Sequence, residues 1–448
     1  MSFDRENLLD KLTELAELTG KAERLVIAFS GGLDSTVLMH ALASSREEHR
    51  IPLLAIHIDH GLHGDSANWC RHCESIANSL GVDFDSVKVE VDTRSAQGTE
   101  AAARAARYEA LRSAIRGGDW LLSAHHKDDQ AETLLLNLMR GSGPSGLSGI
   151  AEIRPFDLAW LVRPLLSTSQ SDLRNYAAHH DLSWIDDPSN EDRKFDRNYL
   201  RHEIMPRLEA RWPEVANRLQ RSASLAGEAA ALLDQLADAD FRNLGERPDR
   251  LTLDKLRVLP PERQRNLLRY VVRELGLPSP PAAQLQSVVT DLIPARDDGQ
   301  PLVQWPGAEI RRYRGSVYVL PADIVDAERS GEHGTRVTTG SSVRLAPGHG
   351  ELNLEPGAPR GLADAIVGDG LELRYRRGGE EIKLPGQSHT RKLKKLLQEE
   401  GIVPWMRQRL PLLYSGEDLV AVADLWIASN AVSEPGIAIS WKNRPPIH

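Results

Sequence analysis

The glycine-rich stretch near the amino terminus contains the residue types that most directly suggest chemistry. It consists of Ser30, Gly31, Gly32, Leu33, Asp34 and Ser35. Glycines between a strand and a helix let several backbone N–H groups converge on one small space, and the helix dipole makes that space attractive to anions. The serine hydroxyls add donors, and Asp34 is suited to hold Mg²⁺ on a phosphate. The stretch therefore predicts a phosphate-binding loop.

Two familiar phosphate-binding patterns are absent from this loop. A Walker loop would carry a lysine before its final Ser or Thr, and no lysine stands here. The dinucleotide pattern GxGxxG is missing as well. The alternative without a ligand is an ordinary tight turn between a strand and a helix.

Histidines and carboxylates form two further clusters. The first comprises His57, Asp59, His60 and His63, and the second comprises His125, His126, Asp128, Asp129 and Glu132. Such groups can hold a metal ion, bind an amine or transfer protons, so a two-metal phosphohydrolase is one interpretation. Helix capping is the other, since the dipole favours acids such as Asp128 and Asp129 in a first turn.

An alternation of strands and helices must position these groups. The apolar runs RLVIAF, IPLLAIHI, VDFDSVKVEV and WLLSA predict strands, and each is followed by a helical pattern. This order predicts an α/β fold with a Rossmann-like parallel sheet covered on both faces. Ligands of such sheets lie beyond the carboxyl ends of the strands, where the glycine loop and both clusters fall.

The length of 448 residues predicts two or three domains. We expect a catalytic domain over 1–218, a mainly helical middle domain over 219–325 and a small α+β domain over 335–448. Helices are predicted at about 213–240, 261–276 and 281–292. A hairpin is predicted around Arg314, and the polar stretch 321–336 is typical of a linker.

Composition narrows the class of protein. No apolar run approaches the roughly 20 residues that span a bilayer, and no apolar signal core opens the chain, so we expect a cytoplasmic protein without membrane association. Cys70 and Cys73 are the only cysteines and supply half of a structural zinc site, so we expect them to pack in a helix.

A basic patch stands out in this acidic chain, whose net charge is −9. It comprises Lys383, Arg391, Lys392, Lys394 and Lys395, with no acid between Ile382 and Leu396. A local cluster of this kind binds phosphates of a nucleic acid, or it is a solvated helix face.

Several motifs resemble a known family. SGGLDST resembles the PP-loop of the N-type ATP pyrophosphatases. HIDHGLH, EAAARAARYEAL, LLSAHHKDDQAETLLLNLMRGSG, RPLL and DDPSNEDRKFDRNYLRHEIMPRL are similar, in this order, to segments of the tRNA(Ile)-lysidine synthases. The basic patch and its surroundings resemble the C-terminal domain of the longer members.

The resemblance implies a reaction and its partners. ATP, with Mg²⁺, adenylates the wobble cytidine in the CAU anticodon of tRNA(Ile), and free L-lysine then displaces AMP. The implied ATP site is residues 30–35 with His57, and Asp34 also holds the metal. Asp34, Asp128, Asp129 and Glu132 are the implied catalytic or lysine-binding residues. Arg104, Arg107, Arg197, Asn198 and Arg201 are implied contacts to adenylate or tRNA, and the basic patch is implied to grip the acceptor stem. A homodimer is also compatible with the resemblance.

Solvated helix faces and polar loop anchors are the alternatives for these arginines and Asn198. Three other functions stay open: a PP-loop tRNA thiolase, which would need reactive cysteines, a two-metal phosphohydrolase, and a tRNA-binding chaperone with a vestigial nucleotide site.

Overall fold

The computed structural model describes residues 3–61, 64–91, 99–244, 247–296, 299–322, 335–346, 348–368 and 370–447, and it describes only the backbone of 99–101. His63 and most of the predicted linker at 321–336 lie outside these residues. The chain divides into two compact units, residues 1–232 and 233–448.

The first unit alternates helices with strands, as the apolar periodicity predicts. Its strands are β1 (Arg24–Ala28), β2 (Leu53–Asp59), β3 (Asp83–Lys88), β4 (Asp119–Leu122), β5 (Ile153–Phe156) and β6 (Ala159–Val162). Its helices are α1 (Arg5–Thr19), α2 (Leu33–Ser44), α3 (Arg46–His49), α4 (Ser66–Ser79), α5 (Thr99–Ala114), α6 (Lys127–Met139), α7 (Pro144–Leu147), α8 (Gln170–His179), α9 (Asp196–Tyr199) and α10 (Met205–Arg211). Helix α11 (Val215–Leu244) continues into the second unit.

The six strands form one sheet in the order β3-β2-β1-β4-β6-β5. All neighbouring pairs are parallel except β5–β6, which is antiparallel. The chain moves outward from β1 to β2 and β3 and then returns to the other side of β1 with β4. The carboxyl ends of β1 and β4 therefore flank the topological switch point, where such folds bind ligands.

Both faces of this sheet are buried, as parallel strands require. Leu25 and Ile27 of β1 pack into one hydrophobic core, together with residues of α1, α2 and α8. Val26 and Ala28 face the opposite way into a second core. The continuous apolar run of β1 follows from this two-sided burial, and it fixes where the glycine loop emerges.

The second unit contains two cores. The first is formed by helices α12 (Leu253–Val258), α13 (Pro261–Glu274) and α14 (Ala282–Ser287) against a four-stranded sheet. That sheet has the order β7-β10-β9-β8, with β7 at Arg250–Thr252, β8 at Leu302–Trp305, β9 at Ala308–Tyr313 and β10 at Ser316–Pro321. The antiparallel pairing of Tyr313 with Ser316 confirms the hairpin predicted around Arg314.

The second core of this unit belongs to short antiparallel strands near the carboxyl terminus. They are Thr335–Val337, Ser342–Arg344, Glu351–Ala358, Gly361–Leu362, Leu371–Tyr375, Glu381–Ile382, Arg391–Lys392, Pro411–Ser415, Asp418–Val422, Trp426–Ile427, Val432–Ser433 and Gly436–Lys442. Two helices, Asp364–Val367 and Leu393–Glu399, accompany them. Among the residues described above, no helix is long and apolar enough to cross a membrane.

Candidate adenylation site

The glycine loop joins the end of β1 to the start of α2. The helix begins at Leu33, directly after the second glycine. Gly31 has φ +80°, a conformation that L side chains rarely adopt, and a Cβ built on it would lie 2.6 Å from Cys73 Sγ. Glycine is therefore required at position 31 for two reasons: other residues rarely adopt this backbone angle, and the neighbouring thiol leaves no room for a Cβ.

Three neighbours hold this loop in place. His57 Nδ1 on β2 donates a hydrogen bond to Phe29 O at 3.0 Å. Ile185 N donates to Gly31 O at 2.8 Å, and the buried Cys73 thiol fills the space beside Gly31. Burial raises the pKa of Cys73 to about 12, so the packing role expected for it is confirmed and a reactive thiolate is disfavoured.

The hydroxyls of the loop are turned towards each other. Ser30 Oγ and Ser35 Oγ are 3.1 Å apart, and Ser35 Oγ also donates to Gly32 O at 3.1 Å. Gly32 is the N-cap of α2 and has no side chain to cap the helix. The first N–H groups of a twelve-residue helix thus lack a side-chain acceptor at its N-cap, which suits an anion.

The side chain of Asp34 has the features of a cation ligand. Its Oδ1 is buried and has no hydrogen-bond partner within the described part of the chain. Burial raises its pKa, and His126 partly opposes that rise. A buried oxygen without a donor is costly unless a ligand engages it, so Asp34 fits the expected Mg²⁺ of an ATP complex.

The loop after β4 places the second predicted cluster beside Asp34. His126 is the N-cap of α6, with Nδ1 accepting from Asp128 N at 3.2 Å while Asp129 Oδ2 accepts from His126 N at 3.0 Å. The proposed capping role of Asp129 is therefore confirmed, and its catalytic role stays a prediction. His126 Nε2 lies 3.6 Å from Asp34 Oδ2, which brings the two loops together across the switch point.

The charge balance around His126 follows from this geometry. Burial alone would lower the pKa of His126, but Asp128, Asp129 and Asp34 outweigh it and raise that pKa. The same proximity holds the pKa of Asp129 below its usual value although burial opposes ionisation. His125 behaves differently, because burial lowers its pKa to about 3 and keeps the ring neutral.

Glu132 and Arg201 form a bidentate ion pair at the site. Arg201 donates to Glu132 Oε1 at 2.7 Å and to Oε2 at 2.9 Å, and it also reaches Asp129 Oδ1 at 3.0 Å. Glu132 is only 1% exposed, so burial raises its pKa and Arg201 offsets part of that rise. Arg197 adds a contact of 3.3 Å to Glu132 and donates to Thr133 Oγ1 at 2.7 Å.

A cavity of about 1100 Å³ opens on the side of Asp128, Glu132 and Arg201. Residues of α1, including Asp10 and Lys11, also line it, and none of residues 30–35 does. Asp128 accepts a hydrogen bond from Gln170 N at 2.8 Å and has a lowered pKa, since this bond and His126 outweigh the effect of burial.

The remaining predicted residues occupy several places. Arg104 and Arg107 lie on α5, and Arg104 is exposed. Asn198 donates to Ser189 O at 2.9 Å and to Asp192 O at 3.0 Å, which fits a loop anchor. Its predicted contact with tRNA stays a prediction.

The basic patch lies in the second unit. Lys383, Lys392, Lys394 and Lys395 are exposed, whereas Arg391 pairs with Glu399 at 2.5 Å. Leu393, Leu396 and Leu397 are buried beneath it, so the helix Leu393–Glu399 is anchored by one face and shows its lysines on the other. Trp405 and Tyr414 pack against the core of this domain and are partly buried.

Within the described ranges, no group of three or more His, Cys, Asp or Glu side chains is arranged to hold a metal ion. The ligand set of a two-metal phosphohydrolase is therefore not assembled there.

Comparison with known proteins first gives the class. Residues 5–208 match the family model of the PP-loop domain, so the first unit carries an ATP-using PP-loop domain, in agreement with its sheet and glycine loop. Two more models, the TilS substrate binding domain and the TilS substrate C-terminal domain, match residues 251–318 and 371–441.

Full-length relatives then give the family. A tRNA(Ile)-lysidine synthase of Alkalilimnicola ehrlichii is 43% identical over 95% of each chain. One of Coxiella burnetii is 38% identical over 94% of this chain and 92% of its own. The chain belongs to the tRNA(Ile)-lysidine synthase family. A solved U34-tRNA thiolase of Methanococcus maripaludis is a distant neighbour, with 16% identity, a TM-score of 0.40 and coverage of 50% of this chain and 80% of its own.

Sequence patterns did not single out some residues that shape this site. Ile185 and Gln170 act through backbone N–H groups, which any residue supplies, so no side-chain pattern reveals them. Arg163 stands inside the RPLL motif and is 4% exposed, and its burial could not be inferred from an arginine in a loop.

Proposed function

We propose that this enzyme joins free lysine to the wobble cytidine of tRNA(Ile) with a CAU anticodon, and so changes its decoding from AUG to AUA. The cytosine carbonyl oxygen attacks the α-phosphate of ATP, and pyrophosphate leaves. The ε-amine of lysine then attacks the activated ring carbon, AMP leaves, and one proton is released. Membership in the family supports this ligase activity.

The observation that carries the proposal is the pairing of an anion nest with a carboxylate cluster across one switch point. The loop at residues 30–35 has the backbone geometry for the phosphates of ATP, and His57 holds the carbonyl of Phe29 directly before it. Asp34 and the phosphates would hold Mg²⁺, which supplies charge neutralisation at the phosphate under attack. Holding both reactants at this edge lowers the entropic part of the barrier.

The cavity beside α6 suits the amino acid. Asp128 lines it, keeps its ionised form through a lowered pKa and has a side chain that is 35% exposed, so it can meet a lysine ammonium group. Glu132 and Asp129 lie deeper and are engaged by Arg201, which fixes their positions. ATP and lysine would then approach the cytidine of the tRNA from different sides.

The nucleic acid would be held at two places. Arg197 and Arg201 contact the carboxylate cluster, and Asn198 lies between them in the chain. The exposed lysines of the basic patch offer phosphate contacts for the acceptor stem. We expect the enzyme to work in the cytoplasm, and a homodimer remains an expectation that sedimentation would test.

The test is incorporation of labelled lysine into RNA. Purified enzyme, ATP and Mg²⁺ are incubated with a tRNA(Ile) transcript that carries CAU, and methionine tRNA with the same anticodon is the specificity control. Asp34→Ala should abolish incorporation, whereas Asp10→Ala, which changes an α1 residue that lines the cavity, should retain the dependence on ATP. If ATP and tRNA bind but no lysine is incorporated, the proposal is wrong and sulfur transfer becomes the reaction to test.

A further inference from the structure

Tyr108 on α5 is surrounded by arginines. The guanidinium carbon of Arg104 lies 5.2 Å from the centre of its ring, and that of Arg154 lies 5.4 Å from it. Arg104 also donates to the Tyr108 hydroxyl at 3.4 Å. Arg107 and Arg163 are close enough to affect its ionisation, because burial raises the pKa of Tyr108 but these arginines together bring it below its usual value. These five residues are called the Tyr108 cluster below.

The topology puts the cluster at the same edge of the sheet as the glycine loop. Arg163 directly follows β6, which runs parallel to β4, so it lies at the carboxyl edge. Arg154 of β5 pairs with Leu161 near the end of β6. Helix α5 leads from the carboxyl edge after β3 back to the start of β4, so its first half, with Arg104, lies towards that edge, and Arg107 follows about one turn later. Arg107 also lowers the pKa of His57, after the larger effect of burial.

Among the described side chains, no carboxylate balances the charges of the cluster. No ion pair joins its arginines to a carboxylate among the described side chains, whereas Arg112 on the same helix pairs with Glu109 at 2.8 Å. Arg163 is 4% exposed, and its Nε is buried without a hydrogen-bond partner in the described part of the chain. A buried guanidinium N–H without an acceptor is costly, and stacking on a tyrosine leaves guanidinium edges free for an anion.

We propose that the Tyr108 cluster binds the RNA backbone, as the site for phosphodiesters flanking the cytidine that reacts. This inference rests on the proposed function, since a cytidine at the switch point brings its own neighbouring phosphates to this edge. The glycine loop is the proposed binding site for the phosphates of ATP, so the cluster is available to bind a second set of anions. Planar guanidinium groups bind phosphate oxygens in pairs, which suits them to position a strand as well as attract it.

Arg154→Ala is the informative variant, because Arg154 is exposed and can be removed without opening the core. Arg50→Ala is its matched control, since Arg50 is also exposed but precedes β2 at the opposite edge of the sheet. A stem-loop RNA with the CAU anticodon serves as the probe in a filter-binding assay without lysine. This assay needs no turnover, so it reports on the cluster even if lysidine is not the product.

For Arg154→Ala we expect RNA binding to weaken by about 5- to 20-fold and the salt slope to fall by about 0.7–0.9, as for one lost phosphate contact. Arg154→Lys should keep the salt slope but recover only part of the affinity. Tyr108→Phe should bind within about two-fold of the wild type, and Tyr108→Leu should bind weakly, because the ring and not the hydroxyl holds the guanidiniums.

Equal RNA binding by Arg154→Ala and Arg50→Ala would overturn the proposal and leave the cluster a packing feature. A rise in KM for ATP with unchanged RNA binding would also overturn it, since the cluster would then serve the adenylate.

Discussion

Replacing Gly31 by alanine tests how the loop is built. The new Cβ would lie 2.6 Å from Cys73 Sγ and 2.9 Å from Ile185 Cδ1, at a backbone φ of +80°. The left-handed conformation costs roughly 1–2 kcal/mol for a residue with a Cβ. Overpacking of a filled site adds about 1–3 kcal/mol.

The loop can relieve this strain only by moving away from the geometry that binds the phosphates of ATP. The free energy of ATP binding should then become less favourable by about the same amount. A loss of about 2–5 kcal/mol corresponds to a rise of at least roughly 30-fold in KM for ATP. The KM for lysine should change little, because residues 30–35 do not line the cavity beside α6. Steady-state kinetics with each substrate varied in turn measures both values.

A second substitution separates the cost of the backbone conformation from the cost of the contact with the Cys73 thiol. Cys73→Ala removes the thiol and should partly rescue Gly31→Ala, lowering its KM for ATP by about 5- to 10-fold, within the coupling energies of contacting residues. In the wild-type background the same change should raise this KM slightly, because it leaves a small cavity. Cys70→Ala, on the same helix but not beside Gly31, should do neither. If Cys73→Ala acts alike in both backgrounds, the contact between the thiol and the loop does not matter and the reasoning is refuted.

Three other outcomes follow from the site and the basic patch. Arg201→Ala removes both hydrogen bonds of Arg201 to the buried Glu132 and leaves it only the 3.3 Å contact with Arg197. The melting midpoint of the first unit should therefore fall by roughly 6–20 °C, as expected for a loss of about 3–5 kcal/mol, and adding Glu132→Gln should restore part of it in calorimetry. The pKa of His125 is lowered to about 3 in the folded protein, so between that pH and the usual histidine pKa only the unfolded chain binds a proton at this residue. The free energy of unfolding should therefore decline as pH falls through this range. His125→Gln should flatten this part of the curve of melting midpoint against pH. Lys394→Ala with Lys395→Ala should lower the salt slope of tRNA binding by about 1–2 and leave the KM for ATP unchanged.

Local signals predicted most of the first unit. Continuous apolar runs give β1, β2 and β4, and the two glycines mark the turn that follows β1. The hairpin of β5 and β6 was not predicted, because its strands are only four residues long and Pro155 interrupts the first. The structure explains this proline, since β5 is the edge strand, where a missing backbone N–H removes no essential ladder bond.

The partners of the site residues could not be predicted from local patterns. Residue type and the family resemblance predicted Asp128, Asp129 and Glu132, but Arg201 engages Glu132 from 69 residues away. Gln170 reaches Asp128 through a backbone N–H, and such long-range contacts leave no periodic trace in a sequence. The sequence therefore indicated which groups are present, and only the fold shows which of them are paired with a positive charge.

The hydrogen bond from Ile185 N to Gly31 O also bears on how the protein is made. All strands of the first sheet have been synthesised before residue 185 is added, since the last of them ends at Val162. A chain that ended before Ile185 would contain every strand of that sheet, yet it would lack the donor to Gly31 O. The nucleotide site is thus completed by a residue that is added after the sheet has been synthesised, and a product truncated before Ile185 should bind ATP weakly.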